Sequence, residues 1–390
     1  MNILLFHQHF NTPQQGGAVR SYYLSTALVR KGHRAVMITS CACAKGRTET
    51  IEGIEVIYLP IPYNNRFTFY ARSLSFIRFV LAAIRAARPY RSFDLCYAIS
   101  APLTVAVCAR WMKWRYAMPY WFEVGDLWPD APIELGYIRN PLFKKLLFAL
   151  EKSIYQNAEG VVALSTPIRD AIRRKAPGVR VEVITNMADC DFYNQAPAEE
   201  SSLFDEAHPL VIAYIGALGA ANGLHHFLKC AEESRMNKLP VRFILCGDGA
   251  MLDELKANAS SNALDNVSFA GFVNRDGVRE ILKETDAVFI SYLPSAILET
   301  GCPNKYFDGL ASGKMIIVNF GGWIRTEVEA SQCGVFIDQH LHGTFTAKLT
   351  PFLNDPGPLR TAQRNARKLA ESKYTRTEIS DRFASLFASS

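Results

Sequence analysis

The chain alternates between short runs of consecutive apolar residues and longer amphipathic segments. Apolar runs such as residues 2–6 (NILLF) and 241–247 (VRFILCG) are typical of strands that are buried on both faces of a parallel sheet. Segments such as residues 223–235 (GLHHFLKCAEESR) carry apolar residues at helical spacing between those runs. The pattern predicts an α/β protein in which helices cover parallel sheets.

This alternation is interrupted once, by the polar stretch of residues 194–209 (NQAPAEESSLFDEAHP), which is predicted to be a linker. A chain of 390 residues is also too long for a single hydrophobic core to be expected. We therefore expect two Rossmann-like domains, residues 1–193 and 210–365, that face each other across a cleft. Residues 366–390 are predicted to form a helix that packs back on the N-terminal domain.

The composition of the chain limits the kinds of molecule that the protein is expected to bind. The net charge of +6 and the pI near 8.8 suit anionic ligands or an anionic membrane surface, and they are too small to indicate nucleic acid. The 9 cysteines lie scattered in apolar runs, which is typical of a reducing cytosol. Cys41 and Cys43 lack a second pair, so no zinc site is expected. A cytoplasmic protein is predicted, because no signal peptide and no long uncharged apolar run is found.

The segment 301–314 (GCPNKYFDGLASGK) resembles a Walker A loop but lacks its spacing and its Ser or Thr. It instead predicts a short helix, residues 303–312, with Pro303 in its first turn. The positive amino end of such a helix suits a diphosphate, and Lys305 would add a full charge. Asp308, one turn further on, could accept hydrogen bonds from two vicinal hydroxyls of a ribose. The alternative is a capped helix with a solvated lysine.

Glycine-rich loops follow several of the predicted strands. They are Gly16-Gly17 in the first domain, and Gly216 and Gly247-Asp248-Gly249 in the second. Each of these loops could be a simple turn. Together they lie on the edge of a parallel sheet where ligands bind, so they favour a nucleotide-type ligand.

Three carboxylates follow the predicted strand 118–122 (MPYWF), namely Glu123, Asp126 and Asp130. Asp126 is a candidate for contact with a substrate at this edge of the sheet. The alternative is that Asp126 caps the next turn, because Asp is a common N-cap.

With these motifs, the sequence resembles the retaining, GT-B-fold glycosyltransferases of family 4, and most closely the bacterial members that build cell-surface polysaccharides. The resemblance is carried by GGAVR (16–20), FEVGDLWPD (122–130), CGDG (246–249) and above all PNKYFDGLASGK (303–314). It implies a hexosyl- or N-acetylhexosaminyltransferase whose N-terminal domain binds the acceptor. It also implies a nucleotide-sugar donor, with UDP as the expected nucleotide.

The chain departs from the family pattern at two places. The family has two glutamates eight residues apart, and here the second position is Asp308, while the first is Thr300, with Glu299 one residue earlier. The family's diphosphate-binding Arg and Lys fall on Ala217 and Asn222. Our hypothesis is that Lys305 and Arg20 supply the missing charge.

The resemblance thus implies two sets of site residues. The catalytic candidates are Asp126, Lys305 and Glu299, and Asp126 is predicted to orient the acceptor or the donor sugar. The donor-binding candidates are Gly16, Gly17, Arg20, Gly216, Asn222, Gly247, Asp248, Gly249, Gly301, Cys302, Pro303, Asn304 and Asp308.

The mechanism that the resemblance implies has no protein nucleophile. The acceptor hydroxyl attacks from the leaving-group side, and the protein stabilises the charge on the departing phosphate. No metal and no cofactor are expected. The rival interpretations are a non-hydrolysing nucleotide-sugar epimerase, which would need no acceptor, and a non-catalytic nucleotide-sugar-binding protein.

Two amphipathic segments, residues 66–91 and 141–155, suggest contact with an anionic membrane. In the first, an apolar face is predicted from Phe69, Phe76, Phe79, Val80, Ala83 and Ala87, with Arg78, Arg85 and Arg88 largely on the other face. This contact would fit a lipid-linked acceptor. The alternative is that both segments are ordinary core helices with solvated basic faces.

Overall fold

The computed structural model describes residues 1–64, 67–194 and 203–387, which form two compact α/β units. The first unit contains Met1–Asn186, Thr300–Cys302 and the residues from Thr377 onward. The second contains Met187–Glu299 and Pro303–Arg376. The predicted two-domain α/β fold is confirmed. Residues 195–202 of the predicted linker lie outside the described residues.

The first unit is built on an eight-stranded sheet with the order β3-β4-β2-β1-β5-β6-β7-β8. Its strands are β1 (Asn2–Phe6), β2 (Arg34–Cys41), β3 (Arg47–Ile51), β4 (Ile54–Pro60), β5 (Leu95–Ile99), β6 (Tyr120–Val124), β7 (Gly160–Ala163) and β8 (Val181–Val183). All neighbours run parallel except β3, which pairs antiparallel with β4 at the edge. The sequence did not predict β3, because its five residues are almost all polar and exposed.

Helices cover both sheets. In the first unit they are α1 (Arg20–Arg30), α2 (Phe69–Ala87), α3 (Val105–Tyr116), α4 (Asp130–Glu134), α5 (Pro141–Asn157) and α6 (Thr166–Lys175), with α14 (Arg376–Ser385) from the end of the chain. In the second unit they are α7 (His225–Met236), α8 (Leu252–Ser261), α9 (Arg275–Glu284), α10 (Asn304–Ala311), α11 (Gly322–Ala330), α12 (Thr344–Asn354) and α13 (Pro356–Lys373).

The second unit has a six-stranded, fully parallel sheet with the order β11-β10-β9-β12-β13-β14. Its strands are β9 (Leu210–Ile215), β10 (Val241–Cys246), β11 (Val267–Gly271), β12 (Ala287–Ile290), β13 (Met315–Val318) and β14 (Gly334–Phe336). The chain order reverses between β9 and β12. In open α/β sheets, ligands bind beside the carboxyl ends of the strands at such a switch point.

The core of the second unit holds β9, β10 and β12 in place around Phe227 of α7. The ring of Phe227 makes edge-to-face contacts with Phe243 of β10 and Phe289 of β12, each at 5.3 Å between centroids. All three side chains are fully buried. This packing fixes the strands whose ends carry the glycine loops.

The end of the chain differs from the single helix predicted for residues 366–390. It forms α13 and α14, which are separated at Tyr374 and Thr375. There the backbone pairs with Ala188 instead of continuing the helix. The N–H of Ala188 donates to Tyr374 at 2.7 Å, and the N–H of Arg376 donates to Ala188 at 2.9 Å. Only α14 and the residues after it belong to the first unit, where Phe383 packs on Tyr97.

The apolar face predicted for membrane contact on α2 is wrong. Phe79, Ala83 and Ala87 are fully buried, because they pack into the core of the first unit. Arg78, Arg85 and Arg88 are exposed, which agrees with their predicted position on the other face. Residues 65 and 66, and the side chain of Phe69, lie outside the described residues.

Two further observations concern the whole described chain. Cys41 and Cys43 are joined by a disulfide, which the sequence did not lead us to expect, and the other seven cysteines have free thiols. Within the described ranges, no helix combines the length and the hydropathy that crossing a bilayer requires.

Candidate active site

The loops after β9 and β10 pack against each other backbone to backbone. A Cβ atom on Gly247 would lie 1.8 Å from the carbonyl oxygen of Gly216, and one on Gly249 would lie 2.4 Å from that of Leu218. Gly216 and Gly247 also have φ angles of 148° and 145°, which disfavour any other residue. Asp248 joins the loops, because its carbonyl oxygen accepts the N–H of Leu218 at 3.0 Å. These predicted glycines therefore shape the edge of the sheet.

Helix α10 follows β12 after a loop and begins at the switch point. Its first residue is Asn304, and Pro303 lies at the N-cap with an extended backbone (φ −73°, ψ 135°). Pro303 was predicted inside the first turn and is one position earlier, since this ψ angle is not helical. The helix presents its amino end to the loop after β9, where a Cβ on Gly216 would lie 3.1 Å from Cε of Lys305.

Lys305 reaches across the switch point and binds one residue at the end of β9 and one in the loop after it. Its Nζ donates to the hydroxyl of Tyr214 at 2.5 Å and to Oδ1 of Asn222 at 3.3 Å. The ammonium also lies 3.9 Å from the ring centroid of Tyr214. Both Tyr214 and Asn222 donate in turn to the carbonyl oxygen of Ala217, at 2.8 and 3.0 Å. Lys305 thus brings its charge to the two loop positions, Ala217 and Asn222, where the resemblance would place Arg and Lys.

The charge of Lys305 has no counter-ion: among the residues that the structure describes, no carboxylate forms an ion pair with it. Its two hydrogen-bond partners are neutral. Burial in this environment lowers the pKa of Lys305 to about 7. An unpaired, desolvated cation at a helix amino end is unfavourable for the free protein, and an anionic ligand would relieve that cost.

Asp308 follows Lys305 by one turn, and both side chains reach one small pocket. The other lining residues are Ile215, Val278, Leu282, Val288 and Gly309, so its walls are largely apolar. Burial raises the pKa of Asp308 to about 7, although the positive charge of Arg275 acts in the opposite direction. Asp308 therefore lies beside the lysine, as the sequence predicted for a ribose-binding carboxylate.

Glu299 is engaged by the start of another helix. Its Oε1 accepts the N–H of Gly321 at 3.2 Å, and Gly321 is the N-cap of α11. A carboxylate at a helix amino end is stabilising in its own right. This contact gives Glu299 a structural role, and its catalytic role stays a prediction.

The residues just before α10 belong to the first unit. The carbonyl oxygen of Cys302 accepts from Nδ2 of Asn186 at 2.5 Å, and that of Thr300 accepts from the hydroxyl of Ser165 at 2.6 Å. The carbonyl groups on either side of Gly301 are therefore held by side chains of that unit. The donor-binding roles of Gly301 and Cys302 stay predictions.

In the first unit, the glycine loop ends where α1 begins. Gly16 and Gly17 have φ angles of 76° and 77°, so the helix starts at Arg20 and not at the glycines. The Arg20 side chain then turns into the core. Its Nε and Nη2 donate to both carboxylate oxygens of Glu123, at 2.9 and 3.0 Å.

This buried pair argues against the hypothesis that Arg20 replaces the missing diphosphate-binding charge. Arg20 is 8% exposed and Glu123 is 1% exposed, and Arg20 also donates to the carbonyl oxygens of Ile184 and Thr185. Tyr97 completes the cluster with a 2.6 Å hydrogen bond to Glu123. The positive charge of Arg20 is thus already compensated within its own unit.

Asp126 and Asp130 lie in different surroundings. Asp126 is exposed in the loop after β6, and partial loss of hydration raises the pKa of its carboxyl. Asp130 begins α4 and forms an ion pair with Lys175, which also binds the buried Glu151 at 2.8 Å. Asp126 therefore stays the acidic candidate for substrate contact in the first unit.

Sequence reasoning missed Tyr214, which positions the ammonium of Lys305. Tyr214 lies inside the apolar run of β9, and a tyrosine in such a run is normally interpreted as a core residue. The available signal was its hydroxyl, because a buried tyrosine usually needs a hydrogen-bond partner.

Two family models divide the chain between them. Residues 15–187 match the glycosyl transferase 4-like domain, and residues 197–369 match glycosyl transferases group 1. Together they span most of the chain, which is therefore a glycosyltransferase. More specifically, the chain belongs to the GT-B glycosyltransferases of the family 4 type, and this confirms the predicted family.

One curated relative is the alpha-D-kanosaminyltransferase of Streptomyces kanamyceticus, which is 21% identical over 61% of this chain. The match spans 62% of that protein, which is less than two thirds of its length. Sucrose-phosphate synthase from Thermosynechococcus elongatus has a similar structure, with a TM-score of 0.77, 16% identity and coverage of 99% of this chain and 98% of that one.

Two other solved structures share the fold. Anabaena Alr3699/HepE in complex with UDP and glucose gives a TM-score of 0.71 at 17% identity, with 99% of each chain covered. WaaG, a glycosyltransferase involved in lipopolysaccharide biosynthesis, gives 0.70 at 13% identity over 100% of both chains. At these identities the likeness establishes the fold.

Removal of Arg20 and removal of Lys305 should have different effects on stability, because only Arg20 is paired with a carboxylate. Arg20→Met would leave the Glu123 carboxylate buried without its partner, and we expect a loss of about 3–5 kcal/mol in the free energy of unfolding. Lys305→Met removes an uncompensated charge and should leave stability unchanged or raised. Urea unfolding at pH 7 measures both. A Lys305→Met variant that is as destabilised as Arg20→Met would show that Lys305 is a structural residue.

Proposed function

We propose that this chain is a retaining glycosyltransferase that transfers a hexosyl or N-acetylhexosaminyl group from a nucleotide-diphosphate sugar, with UDP as the nucleotide. The observation that supports this proposal best is the unpaired ammonium of Lys305, which lies at the amino end of α10 at the switch point. The family membership and the UDP named with the HepE structure support the same donor class.

In the proposed complex, the diphosphate lies between the amino end of α10 and the glycine loop after β9. Lys305 and the free N–H groups of the first helical turn would stabilise the negative charge that develops on the departing phosphate. Tyr214 and Asn222 would hold the ammonium in position through the contacts they already make. Asp308, one helical turn further on, would accept hydrogen bonds from the ribose hydroxyls.

The proposed reaction needs no residue as nucleophile. The acceptor hydroxyl attacks the anomeric carbon from the side of the leaving phosphate, and a phosphate oxygen takes the proton. Asp126 is the proposed positioning group for the acceptor or the donor sugar. Metal is not part of the scheme.

We propose as acceptor a hydroxyl of a lipid-linked or polysaccharide molecule in bacterial cell-surface glycan synthesis. The similarity to WaaG supports this assignment, because that protein shares the fold and is involved in lipopolysaccharide biosynthesis. The proposed location is the cytoplasmic face of the membrane, with peripheral contact through helices of the first unit.

Nucleotide binding tests the donor site directly. UDP is expected to stabilise the wild type in a thermal-shift screen against GDP, ADP and TDP, and Lys305→Met should weaken its affinity by about 10- to 150-fold. This range corresponds to one charge-assisted contact of about 1.5–3 kcal/mol. Lys283→Met, a lysine of α9 paired with Glu280 on the surface, is the matched control and should bind normally.

A second-site change sharpens this test. Asn222→Lys in the Lys305→Met background places an ammonium at the loop position where related enzymes carry lysine, and it should restore much of the affinity. Failure of all four nucleotides to bind the wild type would overturn the donor assignment. Equal binding by wild type and Lys305→Met would overturn the role of Lys305 alone.

The pKa of Lys305 predicts how affinity depends on pH. Because burial lowers this pKa to about 7, the free protein holds a largely neutral amine above that pH. UDP binds the ammonium form, so affinity should fall by up to about tenfold per pH unit from roughly pH 7 to 9, with uptake of one proton. Lys305→Arg stays charged and should show a flat profile. Calorimetry in buffers of different ionisation enthalpy measures both effects, and a flat wild-type profile contradicts the assignment.

Retention is tested on the product. When the wild type is supplied with a UDP-sugar and acceptor, the anomeric proton coupling in the NMR spectrum should match that of the donor. The opposite coupling would identify an inverting enzyme. An altered sugar nucleotide formed without acceptor would identify an epimerase, and UDP-sugar binding without turnover would identify a binding protein.

A further inference from the structure

The helix layer of the first unit exposes large apolar side chains on the face that points away from its core. On α2 they are Tyr70, Leu74, Ile77 and Leu81, which are between 48% and 84% exposed. Their spacing of four, three and four residues places them in one stripe along the helix. This stripe lies opposite the buried face that contains Phe79 and Ala83.

The neighbouring helices continue this surface. Helix α3 packs beside α2 and also beside α5, so the three helices form one layer. Trp114 of α3 is 78% exposed, and on α5 Leu142 and Leu146 are 77% and 64% exposed. Single exposed apolar residues are normal, but a set that spans three adjacent helices marks an interaction surface.

The charge of this layer is one-sided. Each of the three helices carries three lysines or arginines, and their single acidic residue is Glu151. Glu151 is 1% exposed and is paired with Lys175, so it does not offset the surface charge. Arg78, Arg85 and Arg110 are exposed, and no carboxylate of the described residues pairs with them. The layer therefore accounts for the positive net charge of the chain.

We propose that the exposed face of α2, α3 and α5 docks on an anionic lipid bilayer. Apolar stripes with Tyr and Trp suit the boundary between headgroups and acyl chains, and Arg78, Arg85 and Arg110 beside them suit lipid phosphates. The charge favours this occupant over a second copy of the chain, because two such layers would repel each other. The proposal deepens the proposed function, on which it rests for its purpose of reaching a lipid-linked acceptor.

Vesicle binding by the purified full-length chain tests this inference without any transferase assay. The protein should co-sediment with phosphatidylcholine vesicles that contain about one third phosphatidylglycerol, and far less with phosphatidylcholine alone. Leu74→Asp/Ile77→Asp should lower binding at least tenfold. Arg78→Glu should lower it about fivefold at low salt, with a smaller effect at high salt.

Leu341→Asp is the matched control, because Leu341 is 61% exposed in the second unit. It should bind vesicles like the wild type, and all variants should keep their response to UDP, which reports on folding and on the donor site separately. Equal binding to neutral and anionic vesicles, or none, would overturn the inference. The inference would also be overturned if the wild type were dimeric without lipid and the Leu74→Asp/Ile77→Asp variant were monomeric. The face would then be a protein interface.

Discussion

The second unit depends on a contact in which two loops meet with no side chain between them. The carbonyl oxygens of Gly216 and Leu218 occupy the space that a Cβ on Gly247 or Gly249 would need. This close approach leaves the carboxyl edge of β9 and β10 lined by backbone. Gly216 also leaves room for a side chain from α10, because a Cβ on Gly216 would lie 3.1 Å from Cε of Lys305. The position of the cation thus follows from the glycines.

The charge of Lys305 is electrostatically unfavourable for the second unit. The buried cation of the first unit, Arg20, is compensated by Glu123. Lys305 is instead held by a phenol and an amide, which fix its direction without neutralising its charge. An arrangement that is unfavourable in the free protein and favourable with an anion bound is what a preorganised phosphate site requires.

The sequence predicted the fold well because apolar periodicity reports on burial, and burial decides which runs become strands. It failed where a distant partner decides the outcome. The break between α13 and α14 depends on Ala188, which lies far away in sequence and pairs with the backbone at Tyr374 and Arg376. The exposed polar strand β3 gave no apolar signal at all.

The candidate site shows the same difference between features with a local sequence pattern and contacts with residues distant in sequence. The glycine loops and the helix with Lys305 and Asp308 could be found, because each has a local pattern. The engagement of Arg20 could not, since Glu123 lies on another strand. On α2, both faces are apolar, and the sequence alone could not say which one the sheet would cover.

The neutral fraction of Lys305 has a consequence for chemistry rather than for binding. An amine with a pKa near 7 is a nucleophile at neutral pH, whereas solvated lysines are protonated and unreactive. Electrophiles that acylate or sulfonylate amines would therefore modify Lys305 ahead of the surface lysines, and a bound diphosphate would shield it. The amine of Lys305 is thus a group with which covalent inhibitors and probes of donor occupancy could react.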